Sequence, residues 1–432
     1  MDFKKQIKDL DVDLSAKNRL FDELKEENAY SDKGITILSE DISVSRDMER
    51  SKRNNNLLIL DDRGNRKNVL VSNIMQDNSS YVVVDFDGEL YNETEDYFVK
   101  SGYQRKLINL FEVENGDSYN PFCYIKNEVD VDAMIKCIMN NTTSDYYLKT
   151  PGSERLVIKS LEQNFLKILI SCYMKYGTSK SFTAASNLLN GSNPVEKLDR
   201  LFSGQFAQGP DTMECNRYAN YKKDVGEQFE EIIKSCAQRL ELFKNEDVVQ
   251  LSQGDSLQLE SLKEQKSVLF IAVPSNMVHK ELFLSIVLTQ ALYCNATKAQ
   301  PNQQNLIFVM NHFGEIGKIS HFAKSMDEYK QQGIGFIICI EQASQIKNNY
   351  KKWENILNCC DTILYLGVKD DTLRDYLIQR TDANVIRKKK ILGKDVFVTA
   401  ALKPEEVKMI DEKECICVIS GNATYLSSRL TR

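Results

Sequence analysis

The stretch LLILDDRGNRKNVLV, Leu57 to Val71, sets a glycine and a lysine in a polar turn between two apolar runs. A phosphate-binding loop of the form G-x-x-x-x-G-K-[ST] uses that arrangement. Bare backbone N–H groups wrap the phosphates, the lysine reaches their outer oxygens, and a hydroxyl holds Mg²⁺. Registered on Lys67, this chain reads Asp61, Asp62, Arg63, Gly64, Asn65, Arg66, Lys67, Asn68. Only the lysine and one interior glycine remain. Asp61 and Asp62 set negative charge against a polyphosphate, Arg66 stands where glycine permits close approach, and Asn68 lacks the hydroxyl. On its own letters the stretch reads as an ordinary strand-to-helix turn.

Other chemistries find less support. The eleven cysteines are scattered and odd in number, many inside apolar runs such as FIICI and ECICV, the pattern of reduced thiols. With three histidines, and without the paired cysteine pairs of a zinc ribbon, no metal site is expected. A net charge of −6 argues against a surface coated in nucleic acid but leaves room for a local basic channel. RKKK, Arg387, Lys388, Lys389 and Lys390, is the candidate for such contact, with a solvated turn as the alternative.

The elements that must position these residues follow from periodicity. At 432 residues and 42% hydrophobic, with 27% charged and a mean hydropathy of −0.40, the chain can build two or three globular domains. Residues 1–50 are charged and weakly periodic, an N-terminal segment or linker, and SRDMERSKRNNN at 45–56 reads as linker too. Short apolar runs then alternate with helical ones: LLIL, YVVVD, a helix over ELYNETEDYFVKSG, and RKLINLF. Such alternation predicts βαβ units and a parallel sheet. From 127 to 255 the pattern is helical only, and from 256 the alternation resumes through SVLFIAV, NLIFVMN, GIGFIICI, DTILYLG, DVFVTA and ECICVIS. The expected organisation is one α/β domain, 51–126 and 256–432, split by an all-helical insertion at 127–255. The longest apolar runs fall short of the roughly 20 residues a spanning helix needs, and the N-terminus has no apolar signal segment. A cytoplasmic protein with no membrane insertion is expected.

Spacing between distant motifs gives the loop a context. The strand-turn-helix is followed by YVVVDFDGELYNETEDYFVKSGYQRKLINL, by SYNPFCYI, and much later by NLIFVMNHFGEIGKISHFAKSMDEYKQQGIGFIICIEQASQ and WENILNCCDTILYLG. In that order these resemble the motor domain of the conjugative coupling proteins of type IV secretion, the TraG-like branch of the RecA-like, FtsK-related P-loop ATPases. The resemblance covers about 35 to 425. Tyr119 to Phe122 match the family's Y-N-P-F, and Asn358 to Thr362 match N-C-D-T with one cysteine shifted. It implies a RecA-like fold, a central, mainly parallel sheet interrupted by an all-helical domain, and identifies the opening stretch as a degenerate P-loop.

The resemblance also gives the departures their meaning. The Walker B aspartate that holds the Mg²⁺ shell and the glutamate that activates water fall on Asn311 and His312, and Glu315 is the one nearby candidate to replace the glutamate. His312 is either a general base or a hydrogen-bonded histidine at a strand end. The D-P-K-G-E stretch becomes Asp85 to Glu89, with Asp87 at the lysine position, and Glu341 replaces a neutral glutamine that senses the γ-phosphate. A carboxylate there repels it. The degenerate nucleotide set is therefore Asp61, Gly64, Arg66, Lys67, Asn68 and Glu341. With that set the expectation is a pseudo-ATPase without cofactor. It would be a component of conjugative DNA transfer that binds other coupling-protein or secretion subunits, in a homo- or hetero-hexameric ring, and contacts single- or double-stranded DNA. It would sit in the cytoplasm or, through partners, at the inner face of the membrane. The alternatives are an active ATP-driven DNA translocase using ATP and Mg²⁺ at an atypical site, and a nucleic-acid-binding module without motor activity.

Overall fold

The computed structural model describes residues 20–29, 34–76, 78–177, 179–205, 213–296, 304–382, 384–391 and 394–430. Its frame is a sheet in which eleven of the described strands follow one another. From one edge to the other they are β11 (Lys394–Ala401), β10 (Asn384–Ile391), β13 (Thr424–Ser428), β12 (Glu414–Ile419), β9 (Thr362–Gly367), β3 (Leu57–Asp61), β8 (Ile334–Ile340), β7 (Asn305–Met310), β4 (Ser79–Phe86), β6 (Ser267–Val273) and β5 (Gln104–Asn109). All neighbours from β9 to β5 pair in parallel, while β12 runs antiparallel to β9 and begins the mixed end. A separate antiparallel pair, β1 (Ile35–Ile37) and β2 (Ser43–Ser45), precedes it.

Parallel strands covered on both faces lose the in-out alternation and read as unbroken apolar runs. That is why LLILD, SVLFIAV, IGFIICI and TILYLG are buried at every residue. The pleat sends Leu58 and Leu60 into one core and Leu57 and Ile59 into the other. Helices α1 (Lys67–Ile74) and α2 (Glu89–Lys100) cover the Leu57 face.

Between β5 and β6 the described residues hold helices and no strand. Among them are α3 (Glu128–Asn141), α4 (Arg155–Tyr176) and α5 (Phe229–Arg239). Asn127 and Asp130 close a reciprocal capping box at the start of α3. α4 and α5 are joined by a buried ion pair, Arg239 Nη2 to Glu162 Oε2 at 2.6 Å. The second Glu162 oxygen accepts the hydroxyls of Ser144, at 2.8 Å, and Ser235. After β6, helix α6 (Lys280–Asn295) packs on the Leu58 face against α3.

The stretch at 45–56, read from its charge as linker, is packed into the fold. Arg46 is 1% exposed, and its guanidinium donates to the hydroxyls of Thr36 at 3.0 Å, Ser79 at 3.1 Å and Tyr81 at 3.0 Å. Arg53 pairs with Glu27. Charge that resembles a solvated segment instead answers buried hydroxyls on β4 and the β1–β2 pair. Among the described residues no helix is long and apolar enough to cross a membrane, and no group of His, Cys, Asp and Glu could hold a metal ion.

Candidate functional site: the strand ends around Arg66

In a parallel α/β sheet the crevice for a ligand opens at the carboxyl ends of the strands. β3, β8, β7 and β4 are consecutive in the sheet, and they deliver Asp61, Glu341, Asn311 with His312, and Asp85 to one place. A cavity of about 230 Å³ opens there, lined among others by Gly64, Lys67, Asp85, Asp87, Glu89 and His312.

The turn after β3 is built around the Asp61 carboxylate, which is 1% exposed. Its Oδ1 accepts the backbone N–H of Arg63 at 3.1 Å and its Oδ2 that of Arg66 at 2.9 Å. These amides are of the kind a phosphate-binding loop offers to an anion; here the chain's own carboxylate takes them. Gly64, at φ 76°, is the residue the turn needs in the left-handed region. The neighbouring Asp62 points the other way, accepting the N–H of Lys369 at 2.6 Å.

Arg66 ends the turn just ahead of α1, and its side chain folds back into the crevice with 8% exposure. Nε donates to Asn311 Oδ1 at 2.7 Å, Nη1 to the Asp61 carbonyl at 3.2 Å, and Nη2 to Glu341 Oε1 at 2.7 Å. Nη2 also lies 2.8 Å from His312 Nε2, and His312 Nδ1 is 2.7 Å from Glu341 Oε1. The tautomer with hydrogen on Nδ1 satisfies both contacts, donating to Glu341 and accepting from Arg66. The Glu341 carboxyl is held below the usual carboxylate range, first by the hydrogen bond from His312 and then by the Arg66 charge, against its partial burial. One guanidinium thus ties together the ends of β3, β7 and β8.

The remaining sequence-predicted residues have partners outside the Arg66 cluster. Lys67 is turned toward α2, with Nζ 3.0 Å from Glu93 Oε2 and 3.4 Å from Glu89 Oε2. Asn68 donates to the Leu430 carbonyl at 3.4 Å. Glu315 pairs with Lys280 at 2.6 Å and comes only within 4.0 Å of His312 Nδ1. Arg387 is outside the crevice, on β10, with Nη2 3.1 Å from Glu406 Oε1. Lys388, Lys389 and Lys390 lie on the same strand, separated from β3 by β13, β12 and β9.

Glu93 escaped the sequence reading, and Asp85 entered it only as the head of the D-P-K-G-E stretch. Glu93 holds Lys67, and its spacing of four from Glu89 on a helix was the available signal. Asp85 is fully buried, and it accepts the N–H groups of Leu90 at 3.1 Å and Tyr91 at 2.8 Å at the start of α2. Burial raises its pKa to about 6, against the pull of those two bonds. Asp87 and Gly88, both at positive φ, make the turn between Asp85 and α2.

Known proteins resemble this chain in family and in fold. The profile of a family described as type IV secretory system conjugative DNA transfer matches residues 65–391. No curated protein sequence matches the chain at a significant level. Among solved structures, the bacterial conjugative coupling protein TrwBdeltaN70 in complex with sulphate superposes with a TM-score of 0.68 at 15% identity, covering 95% of this chain and 92% of that one. The plasmid coupling protein TrwB in complex with ADP and Mg²⁺ gives 0.68 at 14% identity, covering 95% and 91%. VirB4 of Thermoanaerobacter pseudethanolicus gives 0.50 at 11% identity, covering 92% and 96%. The likeness to these structures is one of fold, a RecA-like α/β sheet with many helices. Because the family profile spans well over half of the sequence, the chain belongs to the conjugative DNA transfer proteins of the type IV secretory system.

Proposed function

We propose that the chain is a pseudo-ATPase of conjugative DNA transfer, a subunit that keeps the coupling-protein scaffold and acts by binding other secretion subunits or the transfer substrate, without nucleotide turnover. The observation that carries this is the Arg66 guanidinium bound among Asn311, His312, Glu341 and the Asp61 carbonyl, above a loop whose amides are bonded to Asp61. A Mg²⁺-nucleotide brings a hard cation that wants oxygen anions and waters, and phosphates that want free N–H groups. Asn311 and Asn68 supply neutral amides to the first, and Asp61 competes for the second. These residues do not suit the group.

In this reading the protein fills a place in a homo- or hetero-oligomeric ring beside coupling or other secretion subunits. It reaches the cytoplasmic face of the membrane through them. Solved structures of similar fold are described with ADP and Mg²⁺ and with a non-hydrolysable ATP analogue, so the scaffold accommodates nucleotide in those proteins. Titration calorimetry with Mg²⁺-ATP decides the matter. The expected result is no binding up to millimolar nucleotide, and a dissociation constant in the low micromolar range overturns the proposal in favour of a working motor.

A further inference from the structure

A cleft of about 240 Å³ opens between α3, the first α-helix after β5, and α6, which lies on the sheet. It shares no residue with the strand-end crevice. Its wall on α3 is the stripe Asp130, Met134 and Cys137, and on α6 the stripe Ile286, Thr289 and Tyr293, each spaced by three or four residues and so on one face of its helix. Met134, Cys137, Ile286 and Thr289 are buried and form the floor. Tyr124, from the short helical turn Pro121–Tyr124, adds a second aromatic ring to that of Tyr293.

Most polar groups in the wall are already spent. Gln290 gives its amide N–H to the Pro121 carbonyl at 2.9 Å and accepts the Tyr119 hydroxyl, and the Tyr124 hydroxyl donates to Asp255 Oδ2 at 2.7 Å while accepting the Leu259 N–H at 3.1 Å. Thr289 and Asp130 are not. Thr289, 3% exposed, accepts the Cys137 thiol at 3.3 Å, and no described residue accepts its own hydroxyl hydrogen. Asp130 takes the backbone N–H groups of Lys126 and Asn127 on Oδ2, at 2.9 and 3.2 Å, while Oδ1 has no hydrogen bond and the carboxylate no ion-pair partner among the described residues. A buried hydroxyl with an unused hydrogen calls for an acceptor, and a carboxylate at the mouth calls for a cation.

The charge around the mouth agrees. Cys294, on the same wall, has its thiol pushed up to about 11 by burial first and then by Glu260, Asp130 and Asp255, with Lys126 alone pulling the other way. Three carboxylates against one ammonium repel an anion and draw a cation. The two unspent groups also set a length. Cys137 touches Thr289, and Asp130 lies about two turns nearer the start of α3, roughly 10 Å along its axis. The floor between them is apolar, the volume exceeds the roughly 150 Å³ of a cavity that holds benzene, and tyrosine faces attract a cation that passes over them.

We propose that the cleft between α3 and α6 binds a small aromatic amine that carries an oxygen at the far end of its ring. The ammonium meets Asp130, the ring lies over Met134 and Ile286 beside Tyr124 and Tyr293, and the oxygen accepts from Thr289. Such a ligand joins the first helix between β5 and β6 to a helix of the sheet, and its binding is independent of nucleotide at the strand ends.

The test is titration calorimetry of the full chain with tyramine as the probe, beside para-ethylphenol, which lacks the amine, and phenethylamine, which lacks the hydroxyl. Tyramine is expected to bind one site with a dissociation constant on the order of 1 mM or tighter, the range of a ligand of its size. On wild type, para-ethylphenol is expected to bind at least about tenfold more weakly and phenethylamine about threefold more weakly. Asp130→Asn keeps an acceptor for the two N–H groups at the start of α3 but removes the charge, so it is expected to weaken tyramine at least about tenfold and leave para-ethylphenol unchanged. Thr289→Val is expected to weaken tyramine about threefold and leave phenethylamine unchanged. Wild type that takes up no tyramine at about 10 mM overturns the proposal. So does equal affinity for tyramine and para-ethylphenol, a comparison that needs no variant to fold, or an Asp130→Asn protein that binds tyramine as wild type does. The magnesium-nucleotide titration reads the strand-end crevice, so either proposal can fail without the other.

Discussion

Taking the Arg66 side chain away leaves Asp61 and Glu341 at the strand ends without their shared cation, and Asp61 has no water to turn to. Removing one member of a buried ionic cluster costs about 3–5 kcal/mol. Arg66→Ala is therefore expected to lower the urea-unfolding free energy at pH 7 by that order, whereas a loss below about 1 kcal/mol means that the cluster does not hold the strand ends. Arg66→Lys keeps the charge but cannot reach Asn311, Glu341 and the Asp61 carbonyl at once, and recovers only part of the loss. Lys67 contrasts with its neighbour. It is 45% exposed and its partner Glu89 is 66% exposed, so Lys67→Ala is expected to move stability by no more than about 1 kcal/mol. Asp85 supplies the pH dependence. Its folded pKa of about 6 lies above the ordinary 3.8, so the native state holds the proton more tightly than the unfolded chain. The carboxyl then subtracts stability as pH rises from about 4 through about 6, and nothing more above that. Between pH 5 and pH 8 this amounts to about 1.4 kcal/mol, one pKa unit of traversed difference. Denaturant titrations at those two pH values should show the decline in wild type and not in Asp85→Asn. An equal decline in both proteins assigns it to other groups.

The helices between β5 and β6 depend on a pair that no local pattern announces. Glu162 and Arg239 are respectively 0% and 2% exposed in their side chains, and the carboxylate also receives two serine hydroxyls. Arg239→Ala should cost about 3–5 kcal/mol because it strands Glu162, while replacing both residues with leucine should cost much less, since the charge leaves with its partner. Equal losses in the single and the double variant exclude that account. The elements themselves were largely legible. LLILD, SVLFIAV and IGFIICI announce central strands because a parallel strand is apolar on both faces, and the order of strand and helix patterns points to a parallel α/β sheet. The ring of residues at the strand ends was legible as well, since Asp61, Arg66, Asn311, His312 and Glu341 each follow or end an identifiable strand. What they do to one another was not. The sequence presents Asp61 as a repulsion and Arg66 as a steric obstruction. That a side chain five residues on would fold back over the same strand end is a tertiary fact with no periodicity to reveal it. Arg46 misled for the same reason: its partners Ser79 and Tyr81 lie more than thirty residues away.

For the molecule as a whole, the proposed role separates scaffold from site. Transfer efficiency, or recovery of partners in a pull-down, measured at equal expression should be nearly the same for wild type and Lys67→Ala. A tenfold loss with the circular dichroism spectrum intact indicates a lysine that grips phosphate and a motor that works. The carboxylate seated in the loop amides has one more consequence. A site filled from solution obeys mass action: a ligand at a hundred times its dissociation constant adds about 2.7 kcal/mol to stability and takes it away when the supply falls. An occupant carried on the same chain has no bulk concentration; its effective concentration is fixed by the few residues of tether and cannot be depleted. In the proposed role, the strand ends around Arg66 are insulated from the energy state of the cell. In a starved cell and a well-fed one, a subunit of this kind presents the same shape to its neighbours.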